Sequence, residues 1–293
     1  MKFNRAYIEI TNVCGLACSF CPPKDQPTQT MSLPFFESIL LQLQDYTRDV
    51  ALHVMGDPMV LSNLDDYLDT ALRLGFSVMI TTSGFYLDEQ RRAMLFHPCV
   101  KQVNVSLNSF NKNSVSRTFE AYMSNILALC DEKLGQDREF FINLRLWNLD
   151  EACSEEAFNE SLFILLEKHF GLEEGFVRNS ISGERQSLRV ASKILLHFDR
   201  YFQWPSLHNE VSGDGYCHGL SKQIAILADG RVVPCCLDGD GIIELGNLHA
   251  TNLGKILLSE RACTIVNGFK DGKAVEELCQ KCRYKKRFEK GLS

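Results

Sequence analysis

Cys14-Gly-Leu-Ala-Cys18-Ser-Phe-Cys21 directly follows a β-type run at residues 7–11. Three thiolates spaced by three and by two residues can hold one cubic iron–sulfur cluster from a single loop. A [4Fe–4S] cube needs four ligands for saturation, and no fourth Cys or His lies close by in the sequence, so one iron would stay open to a small molecule. A zinc knuckle, which needs four ligands, and an incidental redox pair are the alternatives.

The composition predicts that these thiols are reduced. The first ten residues, MKFNRAYIEI, lack the apolar segment of a secretory signal, and no apolar run approaches the roughly 20 residues of a membrane span. We therefore expect a cytoplasmic protein with no membrane partner. Twelve cysteines in 293 residues then indicate metal ligation rather than disulfides. Those in apolar contexts, predicted to be core residues, are Cys99, Cys130, Cys153 and Cys263.

The charge pattern argues against nucleic acid as a partner. The formal net charge is −6, whereas nucleic-acid-binding domains usually carry a basic surface. One basic cluster lies in the C-terminal tail and comprises Lys281, Arg283, Lys285, Lys286 and Arg287. We interpret this cluster as a solvated helix face rather than as a phosphate-binding patch.

The first two thirds of the chain alternate β-type runs with helical patterns. Strands are predicted at residues 7–11, 51–55, 77–82, 101–107, 140–147 and 186–190, and helices near residues 34–46, 62–74, 88–97, 115–134 and 154–170. This alternation is typical of βαβ units in a parallel sheet, where active groups gather at the carboxyl ends of the strands. We predict an α/β fold, either an open doubly wound sheet or a partial (β/α)6 parallel barrel.

Polar residues at alternate strand positions favour the partial barrel. Helices would cover the apolar faces, so the polar faces would line a wet lumen that holds a ligand. These polar residues are Glu9, Thr11, Asn104, Ser106, Asn108, Asn143, Arg145 and Trp147. By strand parity, Tyr7, Glu9 and His53 are candidate general bases in this lumen, although a satisfied core histidine is the alternative for His53.

The pattern changes near residue 198. Residues 201–205 and 213–215 are predicted to form a linker, and a β-hairpin is predicted at residues 223–228 and 231–234 around Asp229-Gly230. We therefore predict a barrel domain at residues 1–198 and a small β-hairpin/helix cluster-binding domain at residues 206–293. Its cysteines that could share one metal centre, either zinc or [4Fe–4S], are Cys217, Cys235, Cys279 and Cys282. Cys236 would point the other way along its strand.

The first cysteine motif and three later strand ends resemble the radical S-adenosylmethionine (SAM) superfamily. CxxxCxxC with an aromatic residue, Phe20, before its third cysteine is similar to the superfamily signature. Val-Met-Gly-Asp-Pro at residues 54–58 resembles its Gly-Gly-Glu-Pro motif, with Met for the first Gly and Asp for Glu. Thr-Thr-Ser-Gly at residues 81–84 and Val-Ser-Leu-Asn at residues 105–108 resemble its Thr-Asn-Gly and Ser-Leu-Asp strand ends. The resemblance covers residues 7–190.

This resemblance implies a cofactor set and a reaction. The three cysteines of the loop would hold a [4Fe–4S] cluster whose open iron chelates SAM, and one electron would cleave SAM to a 5′-deoxyadenosyl radical that abstracts hydrogen from a substrate. Asp57 would bind the methionine ammonium, and Arg145 the carboxylate unless it forms an ion pair with Glu9. The implied cofactor-binding residues are Phe20, Gly56, Asp57, Ser83, Ser106, Asn108 and Arg145.

The C-terminal cysteines resemble the SPASM and shortened twitch domains of radical SAM enzymes. Cys217-x12-Gly-x4-Cys235 followed by Cys279-x2-Cys282 fits one auxiliary [4Fe–4S] cluster, because the other cysteines of a two-cluster domain are missing. Four thiolates would leave no iron open, so this cluster would carry electrons. The resemblance implies an oxidoreductase that dehydrogenates, or forms a radical bond on, a small molecule or a peptide or protein side chain. Its electrons would come from a reductant such as flavodoxin or ferredoxin.

Two other classes of function are compatible with parts of the pattern. An RNA-modifying radical SAM enzyme would use the basic tail. A non-catalytic iron–sulfur or zinc protein would bind metal without SAM, and the intact Gly56-Asp57-Pro58 sequence argues against it.

Overall fold

The structure, a computed structural model, describes residues 2–23, 26–113, 117–136, 138–149, 155–181, 186–201 and 203–289. Contacts divide the chain into two compact units. The first comprises Met1–Gly15, Cys21–Val78 and Phe202–Ser293, and the second comprises Leu16–Phe20 and Met79–Tyr201. The domains predicted at residues 1–198 and 206–293 are defined on the sequence and stay a prediction.

The described residues form alternating strands and helices. The strands are β1 (Arg5–Ile8), β2 (Asp49–Ala51), β3 (Ser77–Thr82), β4 (Val100–Ser106), β5 (Phe141–Leu146), β6 (Ser187–Ala191), β7 (Ile194–Phe198), β8 (Gln223–Ile226), β9 (Arg231–Val233) and β10 (Gly246–Asn247). The helices are α1 (Leu33–Leu43), α2 (Leu64–Arg73), α3 (Glu89–Met94), α4 (Phe119–Leu134), α5 (Glu156–Phe170), α6 (Phe176–Ser180), α7 (Leu253–Leu257), α8 (Glu260–Lys270), α9 (Glu277–Gln280) and α10 (Lys286–Glu289). Short 3₁₀ turns occur at Pro58–Val60, Leu107–Ser109 and Arg283–Lys285.

In the first unit, strands follow the order β10-β9-β8-β1-β2. β1 is parallel to both neighbours, with Ala6 opposite Val50 of β2 and Ile224 of β8. β8 and β9 form the predicted antiparallel hairpin, whose turn places Gly230 at φ +87°, a backbone conformation that glycine adopts without a Cβ clash. The C-terminal hairpin therefore extends the parallel sheet at the first strand of the chain.

In the second unit, strands follow the order β3-β4-β5-β7-β6, and β4, β5 and β7 are parallel. The prediction of a sixth strand at residues 186–190 is only partly right, because β6 pairs antiparallel with β7 at the edge. The strand that pairs parallel with β5 is β7, which the sequence analysis missed. The turn between them has Lys193 at φ +57° and contains no Gly, Pro, Asn or Asp, so it lacks a turn signal.

β1 and β2 end earlier than predicted, at Ile8 and Ala51. Glu9, Thr11 and the motif at residues 54–58 therefore lie on the segments that leave the carboxyl ends of these strands. Such strand ends are the usual place of active groups in parallel α/β folds. The predicted α/β class with a mainly parallel sheet is confirmed.

Candidate functional site

The loop after β1 carries the first three cysteines, Cys14, Cys18 and Cys21. Cys18 is buried, and Cys14 and Cys21 are partly buried. The division between the units passes through this loop, with Cys14 and Cys21 in the first unit and Cys18 in the second. Gly15 has φ +68°, which lets the chain turn immediately after Cys14.

In the second unit, Asn113 holds the part of this loop that carries Cys18. Its Nδ2 donates a hydrogen bond to Cys18 Sγ at 2.9 Å, and its Oδ1 accepts one from the Ala17 N–H at 2.9 Å. The Ser19 N–H also donates to the Lys112 carbonyl at 3.2 Å. An amide N–H directed at sulfur stabilises the thiolate that a metal requires. Asn113 belongs to no recognised motif, so its role was not predictable from the sequence.

In the first unit, Gly56 is required by a close approach of two backbones. A Cβ at this position would lie 1.9 Å from the Thr11 carbonyl oxygen, which is too close for any other residue. The next N–H, from Asp57, donates to the Val13 carbonyl at 3.0 Å. The segment at residues 54–58 is therefore packed against the backbone that leads into Cys14.

The Asp57 carboxylate is 2% exposed, and its Oδ1 accepts a hydrogen bond from the Met59 N–H at 3.0 Å. This bond caps the 3₁₀ turn Pro58–Val60. Capping by itself explains an aspartate at this position. Its predicted contact with the ammonium group of SAM stays a prediction.

Glu9 joins two backbone segments within the first unit. Its Oε1 accepts from the Met55 N–H at 2.8 Å, and its Oε2 accepts from the Ala228 N–H at 3.3 Å. Burial raises the pKa of Glu9 to about 7, although the backbone hydrogen bonds oppose the shift. Glu9 borders a cavity of about 650 Å³. The other residues lining this cavity include Asn12, Pro23, Met55, Asp229, Arg231 and Asp240.

Three polar residues stand side by side on adjacent strands of the second unit. Ser106 of β4 is opposite Arg145 of β5, which is opposite His197 of β7. The Arg145 guanidinium lies 5.0 Å from the Trp147 ring centroid. Burial lowers the pKa of His197, and the Arg145 charge lowers it further. His197 therefore favours the neutral imidazole, a possible proton acceptor that was missed because β7 was not predicted.

The remaining predicted cofactor-binding residues also lie in the second unit. Asn108 is 3% exposed, and its Oδ1 has no hydrogen-bond partner among the described residues. A buried acceptor without a partner is costly, so this oxygen suits a ligand hydroxyl. Ser83 is buried, and its Oγ accepts from the Phe85 N–H at 3.4 Å. The Phe20 ring packs 5.7 Å from that of Tyr201.

Part of the predicted polar face is hydrogen-bonded within the protein. Asn143 Nδ2 donates to Asn104 Oδ1 at 3.1 Å, and Asn104 Nδ2 donates to Thr81 Oγ1 at 3.1 Å. These side chains therefore satisfy one another across neighbouring strands, as buried polar groups must. The ligand-lining role expected for Asn104 and Asn143 stays a prediction.

The second set of cysteines surrounds one cavity in the first unit. Cys217, Cys235, Cys279 and Cys282 line about 490 Å³ of empty space together with Lys285. Most of the other lining residues are apolar: Pro205, Leu237, Ile243, Phe269, Leu278, Tyr284 and Phe288. Burial raises the pKa of all four thiols, and neighbouring cysteines add to the shift at Cys235 and Cys279.

The four thiols around one cavity suit an iron–sulfur cluster. Within the part of the chain that the structure describes, no three Cys, His, Asp or Glu side chains converge closely enough to hold one metal ion. Four thiols around a single cavity instead fit a group in which each of four irons takes one thiolate. A [4Fe–4S] cluster has this form.

The other cysteines have no such arrangement. Cys99 and Cys130 are core residues as predicted, whereas the expectation for Cys263 is wrong because it is exposed on α8. Cys153 lies outside the described residues. Cys236 packs against an apolar cluster that includes Val54 and Val233.

The interpretation of the basic tail as a solvated face is wrong for Lys285, which is 2% exposed. Lys285 ends the 3₁₀ turn Arg283–Lys285 and points into the cysteine cavity. Its neighbour Lys286 is exposed, and Arg283 forms a surface ion pair with Glu210 at 3.2 Å. A run of basic residues therefore includes one buried cation.

Comparison with known families agrees with both cysteine sets. Residues 8–144 match the radical SAM superfamily, and residues 217–283 match SPASM, an iron–sulfur cluster-binding domain. The chain therefore contains a radical SAM domain and a SPASM domain. A [4Fe–4S] cluster and SAM are the cofactors of a radical SAM domain. A SPASM domain binds additional iron–sulfur clusters.

Solved structures of radical SAM proteins share the fold. BtrN in complex with AdoMet and 2-DOIA is 15% identical, with a TM-score of 0.61 over 97% of this chain and 94% of that chain. SuiB from Streptococcus suis, bound to precursor peptide SuiA, is also 15% identical, with a TM-score of 0.60 over 98% of this chain and 73% of that chain. The protein anSMEcpe with bound AdoMet is 14% identical, with a TM-score of 0.56 over 96% of this chain and 86% of that chain. These likenesses confirm the predicted fold class.

No curated protein matches the sequence. Among the described helices, none has the length and apolar character that a membrane span requires.

Proposed function

We propose that this radical SAM enzyme is an oxidoreductase that removes a hydrogen atom from its substrate and transfers a further electron to an auxiliary [4Fe–4S] cluster. The net reaction would be a dehydrogenation or the formation of a bond through a substrate radical. The observation that carries this proposal is the second set of cysteines, four thiols around one largely apolar cavity. Such a site saturates its cluster, which leaves electron transfer as its chemistry.

The residues of the first site would create an open cluster. Cys14, Cys18 and Cys21 would each bind one iron, which leaves the fourth iron for SAM. The bound cluster and SAM supply the 5′-deoxyadenosyl radical that takes hydrogen from the substrate. Gly56 allows the motif at residues 54–58 to pack against Thr11, and this contact supports its assignment to the methionine end of SAM.

Other side chains of the second unit suit the rest of SAM. The unpartnered Oδ1 of Asn108 can accept a hydrogen bond from a ribose hydroxyl. Arg145 carries the planar guanidinium that pairs with carboxylates, and Ser106 stands opposite it on β4. We assign Phe20, Ser83 and Asp57 to the same cofactor site by their motifs.

The class of substrate is a small molecule or a side chain of a peptide or protein. BtrN was solved with 2-DOIA, SuiB with precursor peptide SuiA, and anSMEcpe with the Cp18Cys peptide, so proteins of this fold accept both kinds. A cytoplasmic reductant such as flavodoxin or ferredoxin would supply the electron that starts each turnover.

The proposal is tested by removing the two sets of cysteines separately. Anaerobically reconstituted protein should contain about eight irons, four for each cubic cluster. Cys18→Ala should abolish formation of 5′-deoxyadenosine, measured by chromatography and mass spectrometry. Cys279→Ala/Cys282→Ala should lose about half of the iron and keep this activity. The matched control is Cys263→Ala, which removes an exposed thiol and should change neither quantity.

Two results would contradict the proposal. SAM cleavage by the Cys18→Ala variant would show that Cys14, Cys18 and Cys21 do not hold the cluster that cleaves SAM. Unchanged iron content in the Cys279→Ala/Cys282→Ala variant would show that these cysteines hold no auxiliary cluster. The proposed oxidative reaction would then lose its electron acceptor.

A further inference from the structure

Lys285 is a buried cation held among the auxiliary cysteines. Its Nζ lies 3.0 Å from the Cys279 carbonyl oxygen, 2.8 Å from that of Cys282 and 3.3 Å from that of Gln280. It also lies 2.6 Å from Ser212 Oγ. Because the side chain is 2% exposed, water cannot replace these partners.

The hydrogen-bond pattern requires the charged form of Lys285. Carbonyl oxygens only accept hydrogen bonds. Ser212 Oγ lies 2.9 Å from the Gln280 carbonyl and 3.0 Å from the Cys282 carbonyl, so its own proton is used there and it accepts from Nζ. Nζ must then donate at least three hydrogen bonds, which an ammonium group can do and a neutral amine cannot.

The ammonium group shares its cavity with the four thiols. Lys285 lines this cavity together with Cys217, Cys235, Cys279 and Cys282, and the buried Asp238 lines it as well. A cation in a largely apolar cavity is screened little by solvent, so its effect on nearby negative charge is strong.

We propose that Lys285 is a positioning residue for the auxiliary cluster: it fixes the backbone of Cys279 and Cys282, and its charge raises the reduction potential of the cluster they hold. This inference rests on the proposed function for its role in turnover. A [4Fe–4S] cluster with four thiolates is an anion that gains one more negative charge on reduction. A fixed cation beside it stabilises the reduced state more than the oxidised state.

The raised potential would give the reaction its direction. After hydrogen abstraction, the substrate radical loses one electron and one proton to become the oxidised product. Cys217, Cys235, Cys279 and Cys282 would hold the group that accepts the electron, and the charge of Lys285 would make that group a better acceptor. The proton would go to a base or to solvent, and the electron would leave to an external acceptor of the flavodoxin or ferredoxin class, which completes the balance.

The test is a redox titration of the anaerobic holoenzyme, followed by electron paramagnetic resonance. The signal that changes on addition of SAM belongs to the first cluster, and the other belongs to the auxiliary cluster. Lys285→Gln keeps two N–H donors for the carbonyls and removes the charge. We expect its auxiliary potential to fall by about 59 mV or more, a tenfold change in the reduction equilibrium. Lys285→Arg should stay close to wild type, and the first cluster should not move.

Lys286→Met is the matched control, because it removes an equal charge from the exposed neighbouring position. A shift in Lys285→Gln no larger than in Lys286→Met would overturn the inference. If Lys285→Gln fails to load the auxiliary cluster, Lys285→Arg decides. If the Lys285→Arg variant retains the iron of the auxiliary cluster, the result supports a role for the positive charge. If both variants lose this iron, the result overturns that role.

Failure of this inference and failure of the proposed function give different results. Wild-type protein with only about four irons would contradict the proposed function and the inference together. Wild-type protein with two clusters, whose auxiliary potential does not respond to Lys285→Gln, would contradict the inference alone.

Discussion

The two cysteine sets differ in what surrounds the sulfur atoms. At the first set, Cys18 Sγ accepts a hydrogen bond from a neutral amide, that of Asn113. At the second set, four thiols share a largely apolar cavity with the full charge of Lys285. Hydrogen bonds and nearby charges both stabilise a reduced cluster, but a buried charge does so more strongly. The difference fits the proposed function, in which the first cluster donates an electron to SAM and the second accepts one from the substrate radical.

Among substitutions that separate the two cysteine sets, Gly56→Ala is expected to have the largest effect, and this effect is on SAM binding. The added Cβ would lie 1.9 Å from the Thr11 carbonyl, and neither backbone can move without disturbing the segment before Cys14. We expect a loss of about 3 kcal/mol in SAM binding, roughly a hundredfold rise in Kd, with the auxiliary iron retained. Calorimetry and iron analysis measure the two quantities.

Gly135→Ala is the control for this substitution. Its new Cβ would approach no atom closer than 3.4 Å, so SAM affinity should not change. A Gly56→Ala variant that binds SAM within about threefold of wild type, a difference of roughly 0.7 kcal/mol, would show that this segment is not part of the SAM site.

A smaller effect is expected from Asn113→Asp. The aspartate keeps an oxygen for the Ala17 N–H but loses the N–H donor and places a negative charge beside Cys18 Sγ. A hydrogen bond to a charged group contributes about 1.5 kcal/mol, so the first cluster should become roughly tenfold harder to reduce. Redox titration should show no shift at the auxiliary cluster.

Asn63→Asp is a control for the charge change, since Asn63 is exposed before α2. Equal potentials in the two variants would mean that the amide of Asn113 does not act on the first cluster. The contrast between the neutral neighbour of the first cysteine set and the charged neighbour of the second would then not explain a difference in reduction potential.

The last effect concerns folding stability and Glu9, which belongs to neither cysteine set alone because it accepts hydrogen bonds from both Met55 and Ala228. Its pKa is about 7 in the folded chain, above the ordinary value of 4.5. The unfolded chain therefore loses this proton first as the pH rises, and stability falls between about pH 4.5 and pH 7, by at most about 3 kcal/mol. Below pH 4.5 this stability is fully present.

Glu9→Gln has no such titration. We expect the difference in free energy of unfolding between pH 5 and pH 8 to be smaller in this variant than in wild type, measured by anaerobic urea unfolding of the full chain. An equal difference in both proteins would show that the Glu9 carboxyl ionises normally.

Local sequence signals predicted much of the fold. β3 has the predicted bounds, and Asp229-Gly230 marked the position of the hairpin, although the register gives a three-residue loop at residues 228–230 rather than the predicted two-residue turn. β7 was not recognisable because its turn contains Lys193 at a positive φ, a choice that only the surrounding structure explains. Missing β7 also hid His197, which stands opposite Arg145.

The candidate site was predictable where chemistry requires a fixed residue type and spacing. Cysteines and Gly56 are of this kind, although the reason for Gly56, a contact with Thr11, needed the structure. Asn113 and Lys285 act through tertiary contacts with residues distant in sequence or turned inward, and their types are common on surfaces. No local pattern separates Lys285 from its exposed neighbour Lys286.

The pairing of β1 with β8 has a consequence for how the chain is made. Arg5 pairs with Gln223, and the Glu9 and Ala228 that meet beyond these strands are 219 residues apart. At about 5–20 residues per second, the first strand waits roughly 10–40 seconds on the ribosome for this partner. Contacts of such long range also slow folding. The edge of β1 that pairs with β8 therefore stays uncovered while the more than 200 residues between them are synthesised.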